Sequence, residues 1–309
     1  MARLLHRTPE PSGAPAVVSE EVARPDPPDG AHHLVVVILD SLRYDSALAA
    51  DMKNVARLGS LEPRWTYASW TAPSHYNLLM GLLPHTNPQH VYASEYYKQD
   101  LARYAERLGV PGVEFKRLLP SIYLPTYLRA TLGYRTGALV SMPVLNRHTP
   151  INRDFDVYES MPKHNDFPAM VQRLRFDGDR PWFWLLNVGE THYPYALPDE
   201  DPSEWPRISG VHGVFEHLDE SMVGGRLVVA EGGDFFDTDQ LNRLRGRQVR
   251  AATFTDDVLE ALFDSVPPRT WIIVTSDHGE LFGEGGFFGH GPVMHEKVFE
   301  VPFVEGFLR

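Results

Sequence analysis

Two unbroken apolar segments rich in β-branched residues, Leu34-Val35-Val36-Val37-Ile38-Leu39 and Trp271-Ile272-Ile273-Val274-Thr275, most constrain what this chain can fold into. A strand with one wet face alternates apolar and polar side chains. A strand that does not alternate has to be buried on both faces, as in a mostly parallel sheet flanked by helices. Both segments run directly into polar and ionisable residues, Asp40-Ser41 after the first and Ser276-Asp277-His278-Gly279-Glu280 after the second. In open α/β sheets, ligands sit just beyond the carboxyl ends of strands. If both strands are central and parallel, Asp40, Asp277 and His278 converge at one edge of the sheet. Two carboxylates and an imidazole there suit a divalent cation, zinc or manganese before others. Taken singly, each run also reads as an ordinary polar strand end.

The remaining chain keeps the rhythm of strand and helix. The pattern predicts a helix within 42–58 and another opening at Thr71, whose hydroxyl suits a cap. Pro73 fits that helix's first turn, and Leu78, Leu79, Leu82 and Leu83 supply its apolar face. Pro125–Leu132 reads as a helix stopped by Gly133, Thr136–Ser141 as a strand, 166–176 as a helix, and Trp182–Val188 as a strand ending near Glu190 and His192. A long helix is expected over 239–265, stopped by Pro267-Pro268. A strand at 270–276 and a short one near 299–307 follow. The alternation implies an α/β fold: a doubly wound, mostly parallel sheet with helices on both faces. Residues 1–31 are rich in Pro, Ala, Glu and Gly and are expected to form a disordered or loosely draped arm, leaving 32–309 as a single catalytic domain. Residues 196–238 break the rhythm and read either as a lid or substrate-binding insertion or as a surface excursion. Tyr92, Tyr96, Tyr97 and Trp205 are candidates to line a pocket.

Composition narrows the partners. A formal net charge of −12 over 309 residues argues against nucleic acid or an anionic membrane as the main partner. The chain has no cysteine, which excludes disulfides, thiolate zinc sites and cysteine nucleophiles. No apolar run is long enough to span a bilayer. Only Leu4-Leu5 stands between Arg3 and Arg7, a poor secretion signal, so cytoplasmic residence is the expectation.

Ser69-Trp70-Thr71-Ala72-Pro73-Ser74-His75 places a hydroxyl at a predicted helix N-terminus, where the dipole and free N–H groups favour an anion. A threonine hydroxyl is a poor nucleophile until its pKa falls, and a coordinated metal at a helix N-terminus lowers it. The alternative is a plain N-cap. Asp45 is placed to pair with Arg43 or cap the first helix, or, with Arg43, to orient the metal ligands. Glu190 lies two residues before His192 and is either a water-facing strand-end carboxylate or, with His192 and His290, part of a second metal site or substrate contact. His32, His33 and His295 read as surface residues.

These residues carry a resemblance. Leu39-Asp40-Ser41-Leu42-Arg43-Tyr44-Asp45 resembles the opening metal motif of sulfatase-like enzymes of the alkaline phosphatase superfamily. Ser69–His75, continuing through Leu78-Leu79-Met80-Gly81-Leu82-Leu83-Pro84-His85, resembles their nucleophile helix, and Thr275–Glu280 their second metal motif. Leu132–Thr136, Phe155–Tyr158, Thr191–Tyr195, Asp256–Leu259, Phe288–Gly291 and Val301-Pro302 extend the likeness in order from about residue 33 to the C-terminus. The resemblance implies that Asp40, Asp277 and His278 bind one divalent metal, with a second one allowed for, and that Thr71 is both ligand and nucleophile. His192 and His290 then contact substrate, protonate the leaving group or hold a second metal. In related phosphoethanolamine transferases a histidine occupies the position that His290 matches.

Three departures from that pattern shape the expected chemistry. Thr71 stands where sulfatases carry the cysteine or serine they oxidise to formylglycine, and His75 replaces the arginine of that modification motif. Ser41 replaces a second acid. The chain stops soon after the last motif, so the family's small C-terminal subdomain is expected to be missing, with homo-oligomerisation or the insertion covering that side. The expected activity is therefore hydrolysis or transfer at a small-molecule phosphate ester, phosphodiester or phosphonate. The alternatives are a sulfate ester hydrolase without formylglycine and a degenerate binding protein on the same fold.

Overall fold

The computed structural model describes residues 24–82, 118–206, 237–291 and 294–308, with short pieces between 103 and 113 and between 214 and 227. Seven strands build the central sheet: β1 (His33–Leu39), β2 (Glu62–Trp65), β3 (Arg135–Val140), β4 (Val157–Ser160), β5 (Trp182–Val188), β6 (Thr270–Thr275) and β7 (Glu300–Phe307). Their spatial order is β2-β7-β6-β1-β5-β3-β4. β1 runs parallel to both of its neighbours, β5 and β6. β3 is parallel to β5 and β4, while β7 is antiparallel to β6 and β2. The two unbroken apolar runs are thus adjacent central strands, as their lack of alternation requires.

Helices cover both faces. Val36 and Ile38 of β1 pack with Leu79 of α2 (Thr71–Met80) and Leu128 of α3 (Leu124–Ala130). Val35, Val37 and Leu39 point the other way, into Ala47 of α1 (Tyr44–Ala49), Phe167 and Met170 of α4 (Phe167–Arg173), and Leu259 and Leu262 of α5 (Thr238–Ser265). Each such side chain, fully buried, contributes about 1.5–3 kcal/mol. α2 ends at Gly81, whose φ of 69° turns the chain so that Leu82 N–H closes on Asn77 O at 2.9 Å. Among the described residues no helix is long and apolar enough to cross a membrane.

Several boundaries differ from expectation for local physical reasons. The helix expected within 42–58 is six residues long, followed by a 3₁₀ turn at Val55–Arg57. Asp51 takes a φ of 49°, and the Asp256 carboxylate of α5 claims the N–H groups of Asn54 and Val55. The helix expected over 166–176 stops at Arg173, because the Trp184 and Trp182 indoles donate to the carbonyls of Arg175 and Asp177. β2 escaped notice because its sequence, Glu-Pro-Arg-Trp, is that of an exposed edge strand. Over 24–31 the arm is draped against the domain. Arg24 pairs with Asp156 and donates to Tyr134 O, while Arg180 donates to Pro25 O. His33 and His295 are half-buried rather than surface residues: His33 Nδ1 accepts from Trp182 N, and His295 Nδ1 from Lys297 N at the start of α6 (Glu296–Phe299). His32, also half-buried, packs on Phe307. Residues 1–23, Tyr92, Tyr96, Tyr97 and most of 207–236 lie outside the described residues.

Glu190 does not face water. It is fully buried at the end of β5, and its Oε1 accepts from Phe167 N at 2.7 Å, fastening the strand end to the start of α4. Its Oε2 has no partner. Burial pushes this carboxyl up to about 7. The unfolded chain loses that proton near the ordinary carboxylate range and the folded chain holds it longer. The contribution to stability is therefore fully present below about pH 4.5 and is lost as pH rises through about 7. The span corresponds to about 3 kcal/mol. Glu190→Gln keeps the acceptor and removes the charge. Its melting temperature should exceed that of the wild type at pH 8 and match it at pH 5. An equal difference at both values would contradict the assignment.

Candidate metal centre

The site forms where three strands end. Register places Ile38 beside Thr275, so Asp40 and Asp277 leave the sheet side by side. Asp40, Asp277 and His278 are each fully buried, and one ligand atom from each lies within 4.8 Å of the others. Among the described residues this is the one such group of three. His278 Nε2 stands 3.8 Å from Asp40 Oδ1 and 3.4 Å from Asp277 Oδ2. His278 Nδ1 donates to Gly279 O at 2.9 Å, which leaves the lone pair on Nε2, facing the carboxylates.

The donor set fits a cation. Asp277 Oδ1 accepts from Ser41 N and His278 N, whereas Asp277 Oδ2 is buried with no hydrogen-bond partner. Asp40 Oδ2 accepts from Asn187 Nδ2 at 2.8 Å and Oδ1 from Ser41 Oγ at 3.2 Å. Burial, with the Asp40 charge adding, pushes the Asp277 carboxyl well above the usual carboxylate range. Burial pushes His278 down to about 4, so at neutral pH the imidazole is unprotonated, as a ligand has to be. A buried carboxylate without a partner is costly, and a divalent cation among these three side chains removes the cost.

Thr71 does not cap its helix. It is the first residue of α2, and the capping position, Trp70, makes no side-chain cap. Thr71 Oγ1 lies 3.4 Å from both Asp40 Oδ1 and His278 Nε2. One turn on, His75 is fully buried. Its Nδ1 donates to Thr71 O at 2.8 Å and lies 3.6 Å from Asp277 Oδ2. His75 thus braces the Thr71 backbone.

A second group of imidazoles lies beside the first. The His278 and His290 ring centroids are 4.3 Å apart, and those of His192 and His290 5.2 Å. His192 Nδ1 donates to Tyr193 O at 2.8 Å. His290 Nδ1 meets Glu280 Oε1 at 3.1 Å, and Glu280 Oε2 accepts from the Tyr195 hydroxyl. Glu280 is buried, which pushes its carboxyl up to about 8. Glu190 joins no set with His192 and His290, so the expected grouping of the three is not formed. Arg43 pairs with Asp45 at 2.6 Å and Glu284 at 2.5 Å and donates to Glu280 O, so the Arg43–Asp45 pair braces the Glu280 backbone rather than touching the metal ligands. Thr71, Asp40, Asp277, His278, His192 and His290 therefore share one site.

Three participants escaped the sequence reading. Glu280 sat inside a recognised motif but had no visible partner. Asn187 looks like one more residue of an apolar strand. His164, on the loop after β4, is pushed down by burial and by His192, and its ring meets Trp205 at 5.3 Å. Nothing in the sequence around His164 marks it. Two glycines make the close approaches possible. A Cβ at Gly279 would lie 2.1 Å from Lys297 O, and one at Gly189 2.1 Å from His164 O.

The fold is shared with proteins of known structure. A Bacteroides thetaiotaomicron protein assigned as a sulfatase superposes with a TM-score of 0.54 at 13% identity, over 89% of this chain and 64% of that one. This chain thus spans less than two thirds of that neighbour's length. The phosphonate monoester hydrolase of Agrobacterium radiobacter gives 0.51 at 13% identity, over 89% and 68%. The soluble domain of lipooligosaccharide phosphoethanolamine transferase A from Neisseria meningitidis gives 0.53 at 11%, over 92% and 79%. A comparison with curated protein sequences finds no match. The sulfatase family model matches residues 32–305, from the first strand to the last and through every residue of the site, and the chain belongs to the sulfatase family.

Proposed function

We propose that this protein is a metal-dependent hydrolase or transferase that acts on a phosphate ester, phosphodiester or phosphonate, with Thr71 as the nucleophile. The observation that carries this reading is the position of Thr71 Oγ1, 3.4 Å from a carboxylate and an imidazole of the metal centre, on the first residue of a ten-residue helix. A cation held by Asp40, Asp277 and His278, zinc or manganese by the chemistry of these donors, supplies positive charge that lowers the hydroxyl pKa and offsets charge on phosphoryl oxygens. The structural neighbours include a sulfatase as well as a phosphonate hydrolase and a phosphoethanolamine transferase, so the preference for phosphorus over sulfur rests on Thr71, which stands where the sulfatase pattern carries the residue oxidised to formylglycine.

The chain's own groups account for each step. Thr71 Oγ1, as alkoxide, attacks phosphorus in line, and the bond from phosphorus to the leaving oxygen breaks. The N-terminus of α2 faces the non-bridging oxygens with its positive dipole end. His290, held by Glu280, or His192 gives a proton to the departing alcohol. Water or an acceptor alcohol then attacks the phosphorus of phospho-Thr71 and gives its proton to the same imidazole, and Thr71 Oγ1 leaves as the alkoxide that began the cycle. His75 holds the Thr71 peptide still throughout.

Thr71→Ala should reduce turnover of an aryl phosphate at least about 10³-fold, the scale expected when a nucleophile is removed. Thr71→Ser should retain measurable turnover and yield a phosphoserine on mass analysis. Full activity of Thr71→Ala, or wild-type turnover of aryl sulfate in preference to aryl phosphate, would overturn the mechanism.

Metal removal gives a second test. Chelation should abolish activity, and zinc or manganese should restore it. Metal at about 100 times its Kd should stabilise the wild-type fold by about 2.7 kcal/mol. Asp277→Asn removes the unpartnered buried charge, so the metal-free variant should melt above the metal-free wild type and gain nothing from added metal. A metal-induced shift equal to that of the wild type would refute the ligand assignment.

A further inference from the structure

Gln248 is a buried polar side chain with no part in the chemistry above. It lies on α5 and is fully buried in the protein. Its Nε2 donates to two backbone carbonyls, Ser41 O at 2.9 Å and Thr191 O at 3.3 Å. These carbonyls belong to different loops. Ser41 follows Asp40 at the end of β1, and Thr191 precedes His192 beyond the end of β5. Thr191 joins the loops a second time, through Oγ1 to Asp40 O at 2.8 Å.

Ser41 explains why an amide is needed there. Its φ is 63°, a conformation that costs a non-glycine residue about 1–2 kcal/mol. That conformation points its N–H at Asp277 Oδ1, at 3.1 Å, and leaves its carbonyl to be satisfied from behind. Two inward-facing carbonyls call for a neutral group with two N–H donors. A primary amide supplies them, a carboxyl has at most one, and an apolar side chain has none. Leaving the two carbonyls unpaired costs about 1–3 kcal/mol each. The orientation of the amide is dictated too, since a flipped Gln248 would set Oε1 against both carbonyls.

We propose that Gln248 is a positioning residue for the metal centre. Its amide holds the Ser41 turn in its left-handed conformation, and through that turn sets the spacing of the Asp40 and Asp277 carboxylates. By the same bond pair it keeps the His192 loop in register with them. The long helix α5 is thereby coupled to the ligand geometry at one point. The proposal rests on the metal reading above.

Zinc titration against a competing chelator, with the full chain purified metal-free, tests it. The variants are Gln248→Met, similar in length but without a donor, and Leu262→Ala, a core substitution on the same helix far along the chain from the loops. Gln248→Met should bind zinc about 10–100-fold more weakly than the wild type, the effect usual for groups that orient metal ligands. Leu262→Ala should lower the melting temperature and leave the zinc Kd within about twofold of the wild type, a margin well inside that effect. Should Gln248→Met not fold, Thr191→Val cuts only the bond to Asp40 O and should weaken zinc binding, with Thr191→Ser restoring it. A Gln248→Met variant that binds zinc as the wild type does overturns this proposal alone. A zinc loss in Gln248→Met no larger than that of Leu262→Ala also overturns it. A wild-type chain that binds neither zinc nor manganese removes the metal reading and this one together.

Discussion

Two carboxylates buried beside one another set the terms for the rest of this molecule. Asp40 and Asp277 end adjacent parallel strands and are fully removed from solvent. Like charges in such a place repel and are poorly solvated. The chain surrounds them with donors: Ser41 N, Ser41 Oγ, His278 N and Asn187 Nδ2. These stop one short, at Asp277 Oδ2. The unpartnered oxygen is what suits the arrangement to a cation.

The sheet was legible because its physics is one-dimensional. An apolar run without alternation has few places to go, so β1, β5 and β6 could be read within a residue of their ends. The same holds for Asp40, Asp277 and His278, since chemistry at the carboxyl end of a central strand follows from topology. What could not be read was decided by partners distant in sequence. The helix after β1 is short because Asp256, some 200 residues on, takes the N–H groups that would have continued the structure. Glu190 was open between two readings because the start of α4, its actual partner, carries no mark of the contact. Thr71 was legible as a helix start but not in its orientation. A hydroxyl that caps and one that faces a metal centre look the same in sequence, and only the placement of α2 over Asp40 and His278 separates them.

The imidazoles sharpen the division of labour. His75, His192 and His278 each commit Nδ1 to a backbone carbonyl, those of Thr71, Tyr193 and Gly279. A carbonyl only accepts, so each of these rings carries a proton on Nδ1, and burial keeps His75 and His278 neutral with the lone pair on Nε2. His290 differs, because its Nδ1 meets the carboxyl of Glu280. A carboxyl can hold or release the shared proton, and Tyr195 and the Arg43 pair keep it in place from behind. Three rings thus have Nδ1 fixed on a carbonyl, and in the fourth Nδ1 faces a group that can exchange a proton. The ring with that capacity lies 4.3 Å, centroid to centroid, from His278. Within the proposed mechanism, that difference in hydrogen bonding, rather than the number of histidines, favours His290 over His192 as the proton donor.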